Sequence, residues 1–408
     1  MLNQVQRRLL SNRSCPANAG CTEAMLCVKS KLTEKRRISG LLIPVLPAES
    51  RGQRLDCAFP DISDVVIVAS GQVRQLRLIR APQMLWNAGT FTMIALCTIT
   101  AAPLLAQTDL SAASQDTPAE LIEGGFQFIE GPAVDAAGNL YFTDIPRNQI
   151  HKRDVEGKIS IFAEPSGHCN GLMVCGNWLL ACEMDGRLKM FNLQSAEETI
   201  LCAEYSGKRF NAPNDLVVDS SGGIYFTDPR FRAPQPLPQG SEAVYYRSAS
   251  GEVTRLADSL KAPNGIILSP DENTLYLIPS MDSKMWAYPV EAPGKLGVGK
   301  IFCELQQAPG EENGGGDGLT IDQAGNLYIT SRSGVQVYSP TGEHLRIISL
   351  PEQPANVTFG GQDGSTLFIT ARTGLYQLQV SHAGHVFPGN PAVLDAAAQH
   401  QKSANKNE

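Results

Sequence analysis

The chain has 408 residues, a formal net charge of −7 and a pI near 5.5. Such an acidic balance argues against a nucleic-acid partner, which would call for a basic face. The length allows either two domains or one large all-β domain, and 37 glycines with 26 prolines suit many short strands joined by turns.

Residues 1–83 show no sustained period, many arginines and scattered cysteines, and read as a poorly ordered upstream extension. From Met84 to Ala106 no residue is charged, and Arg77 and Arg80 stand just before this run. A basic flank, an apolar stretch and small residues near its end form a secretory signal at 84–107, with translation starting at Met84. An uncleaved membrane anchor is the alternative, because 23 apolar residues can span a bilayer. Both readings place the remainder outside the cytoplasm, periplasmic or secreted. A polar linker follows at 108–119, a repeat region at 120–380, and a polar tail at 381–408.

Five of the ten cysteines precede residue 108; the others are Cys169, Cys175, Cys182, Cys202 and Cys303. No pair has zinc-ligand spacing. A disulfide in an oxidising compartment and buried free thiols are both open.

Self-similarity is the strongest signal. The segments EGPAVDAAGNLYFTD from 130, NDLVVDSSGGIYFTD from 214 and DGLTIDQAGNLYITS from 317 share one plan. Looser copies start at 170, 264 and 356. Each has a polar residue, a β-rich run, a D-x-x-G or related turn, and a second β-rich run. Alternation such as Leu216, Val218 and Ile224, Phe226 suits strands, and the Gly or Asn in each turn accepts positive φ. Two further short strands follow each pair, such as those split by Glu156-Gly157. Four strands per copy is the plan of a propeller blade, and intervals of 39 to 53 residues fit it. The fold class is therefore all-β, a six-bladed β-propeller, with residues 120–129 as the expected closing strand.

Equivalent positions on the innermost strands form a ring around the axis. The first residues of the six copies are Glu130, Asn170, Asn214, Asn264, Asp317 and Asn356, and all carry a side-chain oxygen. Backbone capping by Asn and Asp is the alternative explanation. Two carboxylates and several amides make a hard oxygen site, which suits Ca²⁺ better than Zn²⁺, with Zn²⁺, Mg²⁺ and Mn²⁺ as the other candidates. A central metal site held by Glu130, Asn214, Asn264 and Asp317 is expected, with Asn170 and Asn356 facing substrate or water.

The chain resembles the gluconolactonase, regucalcin (senescence marker protein) and luciferin-regenerating-enzyme family. The resemblance covers about residues 120–378. It rests on E-G-P at 130–132, R-F-N-A-P-N-D-L at 209–216, F-T-D-P at 226–229, A-P-N-G-I…S-P-D at 262–271, D-G-L-T-I-D-Q-A-G-N-L-Y at 317–328 and P-A-N-V-T-F-G-G at 354–361. The bacterial gluconolactonase branch looks closest, through P-S-G-H-C-N-G at 165–171 and C-E-M-D-G-R at 182–187. The resemblance implies one catalytic divalent cation on Glu130, Asn214, Asn264 and Asp317, and hydrolysis of a sugar lactone or related cyclic ester as a small-molecule substrate.

In that chemistry Asp317 is the first candidate general base and Asp215 the second. His168, Arg209, Asn211 and Glu183, with Asn170 and Asn356, are candidates for substrate contact. A packing histidine, a solvated arginine and a simple D-G turn after Glu183 are the plainer readings. Two features depart from the family pattern. Pro279 in L-I-P-S ought to interrupt strand pairing, and EENGGG at 311–316 reads as a flexible acidic loop. No G-x-S-x-G elbow or P-loop occurs, which disfavours serine-esterase and nucleotide chemistry. Phosphotriester hydrolysis on the same site and a non-catalytic binding propeller remain alternatives.

Overall fold

The computed structural model describes residues 118–405, together with a separate hairpin of Asp64–Ala69 and Gln72–Arg77. The expected signal or anchor at 84–107 and most of the upstream extension lie outside the described residues. Among the described residues no helix is long and apolar enough to cross a membrane.

Six antiparallel sheets follow one another along the chain. Their innermost strands are Ile129–Val134, Cys169–Cys175, Leu216–Val218, Pro263–Leu268, Gly316–Ile321 and Asn356–Gly360. Each of these strands packs against its counterpart in the next blade, and the sixth packs against the first, so the ring is closed. Five blades are contiguous in sequence. The sixth takes its outermost strand from the start of the domain: Glu120–Glu123 pairs with Gly374–Gln379. The expected closing donor at 120–129 thus supplies this strand, and the sixth blade has its four strands like the others.

The turn aspartates explain why the repeat keeps D-x-x-G. Asp135 Oδ1 accepts the N–H groups of Ala137 and Asn139 at 3.0 and 2.8 Å, and its Oδ2 accepts Asn139 Nδ2. Asp322 does the same with Ala324 and Asn326. These are Asx turns that pin the hairpin between the two inner strands. Tyr141 and Tyr328, two residues beyond each Asn, also donate to these aspartates.

The ring positions are set by bulges. In four blades the register between the two inner strands shifts across Glu130–Ala133, Cys169–Leu172, Pro263–Ile266 and Gly316–Leu319. In the third blade Asn214 N–H and Asp215 C=O both bond Thr227. A bulge turns one side chain off the sheet's alternation and is common beside functional sites. Glycine follows the ring residue in four blades because neighbouring backbones nearly touch there. A Cβ on Gly131 would strike the Asn170 carbonyl, and one on Gly265 the Asp317 carbonyl. Gly131 also has φ 46. Gly131→Ala is therefore expected to cost about 2–3 kcal/mol of stability, read from urea unfolding.

Pro279 does not break its blade. It ends the strand Thr274–Pro279, opposite Pro263, and pairing with the third strand has already stopped at Leu277. The five cysteines of the propeller are free thiols, four of them buried, which settles that alternative in favour of small hydrophobes.

Residues 381–408, read as a polar tail, include helix α1 at Pro391–Asn405. Leu394 and Ala398 bury into the core of blades two and three, and Trp178 Nε1 donates to Asp395 Oδ1 at 2.8 Å. The segment before it runs along blade five, where His385 N–H bonds Ile321 C=O.

Candidate active site

Five ring residues, Glu130, Asn170, Asn214, Asn264 and Asp317, line one cavity of about 640 Å³. They reach it from five different blades, each by the bulged start of an innermost strand. Four of the five are nearly sealed, Glu130 retaining 3% exposure and Asn214 4%, and Asp317 is partly exposed. The rest of the lining is mixed: Phe128, Ile145, Pro146, Met184 and Phe231 are apolar, and Ser331, Arg332, Gln353 and Arg372 are polar.

The floor is electrostatically crowded. Burial pushes the Glu130 carboxyl well above the usual range, and the charges of Asp317 and Asp215 push it further; the Gly131 N–H and the Asn356 amide only partly offset this. Burial also raises Asp317 to about 6, against the pull of the Asn264 amide and of Arg372. Asn264 Nδ2 donates to Asp317 Oδ1 at 2.6 Å and to Ser280 Oγ at 2.9 Å. An amide that gives its hydrogens to those two keeps its carbonyl oxygen for another partner.

Asp215 sits differently. It lines a second cavity of about 400 Å³ on the other side of the ring, together with Asn356 and the segment His385–Pro388. Burial raises it to about 7, partly offset by the Leu216 N–H, which its Oδ1 accepts at 2.9 Å.

Four candidates for substrate contact are not brought to the cavity, because their side chains are committed elsewhere. Arg209 donates to the carbonyls of Phe210 and Asn211. Asn211 is fully buried and holds Asp228, Ser241 and Gln239. Glu183 pairs with Arg187 and lies 3.7 Å from Lys189. His168 has φ 55 and bonds Asp185 Oδ2 at 2.9 Å. Asn170 remains at the cavity; Asn356 is on the far side, with its Oδ1 taken by the Val357 N–H.

Asp228, the buried aspartate of F-T-D-P, accepts Asn211 and Ala212 N–H groups at 2.9 and 2.8 Å and fixes the loop that delivers Asn214. Burial raises it to about 7. A carboxyl whose folded pKa lies above its unfolded value holds its proton more tightly when folded, so stability falls as pH rises between about 4 and 7. Asp228→Asn is expected to flatten that slope in urea titrations at a series of pH values.

Sequence reasoning missed Arg372, Arg332, Phe231 and Ser280. The E-E-N-G-G-G segment was the one clue: Glu311 and Gly314–Gly316 line the cavity, and a Cβ on Gly315 would strike the Pro279 carbonyl.

Among the described residues no three His, Cys, Asp or Glu side chains form a metal-binding group by themselves. The oxygen set is instead two carboxylates supplemented by amides. A closed six-bladed propeller presenting this oxygen set at one end of its channel is the class of protein that the fold and site define. The chain belongs to the SMP-30/gluconolactonase/LRE-like family, whose model matches residues 128–373. A gluconolactonase of Zymomonas mobilis subsp. mobilis is 30% identical over 298 residues, covering 66% of this chain and 83% of the relative. Diisopropyl-fluorophosphatase of Loligo vulgaris is 24% identical over 269 residues, covering 59% and 84%. A solved gluconolactonase structure from Xanthomonas campestris is 29% identical, covers 67% of this chain and 93% of its own, and superposes with a TM-score of 0.61.

Proposed function

We propose that the protein is an exported, metal-dependent lactonase, in which Glu130, Asn214, Asn264 and Asp317 hold one divalent cation. The observation that carries this reading is the convergence of these four oxygen-bearing side chains on one cavity floor, with two acids raised by burial. Two buried carboxylates in one cavity need a counter-charge, and an all-oxygen set with free amide carbonyls fits Ca²⁺. When bound, the ion would supply Lewis-acid polarisation of the lactone carbonyl.

The chain's own residues do the rest. The apolar lining residues Phe128, Ile145, Pro146, Met184 and Phe231 exclude water from around the substrate. Asp317 has one oxygen engaged by Asn264, and its second oxygen is available to take a proton from the attacking water. The water oxygen then bonds the carbonyl carbon, the ring C–O bond breaks, and the leaving alkoxide takes the proton back from Asp317, which returns to its carboxylate. Asp317 is preferred to Asp215 because it lines the same cavity as the other ring residues. The gluconolactonase relatives favour a lactone over a phosphotriester.

The test is a pH-stat assay of the full chain on a panel of lactones and one organophosphate triester. Hydrolysis of lactones that disappears on chelation and returns with a divalent ion supports the proposal. Activity indifferent to chelation, or confined to the triester, contradicts it.

A further inference from the structure

Arginines stand at three places on the cavity wall, and two of them have carboxylate partners. Arg332 Nε lies 3.0 Å from Glu311 Oε1, and Arg232 Nη2 lies 3.9 Å from Asp185. Arg372 differs. Among the described residues no carboxylate pairs with it; its Nη2 donates to Gln353 Oε1 at 2.9 Å, and its guanidinium lies 5.1 Å from the centre of the Phe128 ring.

Its backbone is unusual as well. Arg372 and Thr373 form a two-residue turn between paired Ala371 and Gly374, and Arg372 has φ 50, where glycine is at home. The carbonyl of Arg372 accepts the Ile129 N–H, next to ring residue Glu130. A strained position tied to the ring therefore carries a guanidinium stacked on one face and free at most of its donors.

We infer that Arg372 determines substrate specificity, and that the lactone taken by this site carries an oxyanion, a phosphate, sulfonate or carboxylate, away from its reacting carbonyl. The inference rests on the lactonase reading above. Charge zoning supports it. The cation proposed at the floor is balanced by Glu130 and Asp317, whereas Arg372 at the wall lacks an acid partner and offers an oxyanion paired donors. A substrate so divided enters with its carbonyl toward the floor and its anionic group toward Arg372. A neutral polyol needs no full cation at that place.

The experiment compares kcat/KM of the full chain on D-glucono-1,5-lactone, on its 6-phosphate, and on a hexaric acid monolactone whose anion is a carboxylate. The wild type is expected to prefer one or both anionic lactones, and the preferred one names the oxyanion. Arg372→Gln is expected to lower the anionic-to-neutral ratio at least about tenfold, mainly through KM, and Arg372→Lys to restore part of it. The wild-type preference is also expected to weaken with rising ionic strength, a readout that needs no variant. Hydrolysis of all three lactones with no anionic preference, or a ratio unmoved by Arg372→Gln, overturns the inference while leaving the lactonase reading intact. Hydrolysis of none of them with any divalent ion contradicts the lactonase reading and removes the inference with it.

Discussion

Replacing Asp317 by Asn is expected to lower kcat for lactone hydrolysis by at least about a thousandfold while raising the thermal stability of the metal-free protein. The two effects have opposite signs because they come from different properties of one carboxylate. Catalysis loses a proton acceptor, which alone costs on the order of 10²–10⁴ in rate, and a ligand of the proposed ion with it. Stability gains because Asp317 is buried beside Glu130, whose own carboxyl is pushed up in part by the Asp317 charge. The amide is isosteric, so no cavity offsets the relief. A merely structural Asp317 would give the reverse pattern in stability. Circular dichroism melts in chelator and pH-stat rates with added Ca²⁺ measure both halves.

Chelation of the wild type is expected to abolish hydrolysis and to lower the melting temperature, both reversibly. A ligand bound only by the folded state stabilises it by about 2.7 kcal/mol at a hundredfold excess over Kd, which is roughly 5–10 °C for a domain of this size. The effect depends on pH in a definite direction. Glu130 and Asp317 have folded pKa values raised above their unfolded ones, with Asp317 at about 6. The metal-free protein holds those protons more tightly than the unfolded chain does, so its stability falls as pH rises from about 4 through 6. A cation needs the ionised forms, so its stabilising shift grows over the same interval. Melts with and without Ca²⁺ should therefore converge toward acid and separate toward neutral pH.

The propeller and its ring were legible because they depend on features that recur. Every blade needs its inner hairpin, so Asp135, Asp219 and Asp322 repeat with their glycines. Most ring residues sit at a bulge of the inner strand against its neighbour, so the polar side chain and, in four blades, the following glycine repeat as well. Position within the repeat therefore carried spatial information without any distance being known.

The wall of the cavity was not legible for the opposite reason. Arg372 comes from a two-residue turn, Phe231 and Arg232 from the long connection after Asp228, and Glu311, Gly314 and Gly315 from the loop before the fifth blade. None of these occurs in more than one blade, so no comparison among copies points to them. Arg209 and Asn211 stood out in the motif R-F-N-A-P-N-D-L, yet the same proximity to Asn214 reflects their work in holding its loop. Asp215 shows the limit of reasoning by adjacency: one residue beyond Asn214, it faces the other side of the ring. Helix α1 escaped because its apolar positions are few, chiefly Val393, Leu394, Ala397 and Ala398 amid polar residues.

Calorimetric titration of the chelated full chain with Ca²⁺ tests most directly whether side chains from four blades grip a single ion. The account expects one ion per chain, with binding lost in Glu130→Gln and in Asp317→Asn and retained in His168→Ala. Absence of binding by the wild type to Ca²⁺, Mg²⁺, Mn²⁺ or Zn²⁺, or binding that survives Asp317→Asn unchanged, would contradict it.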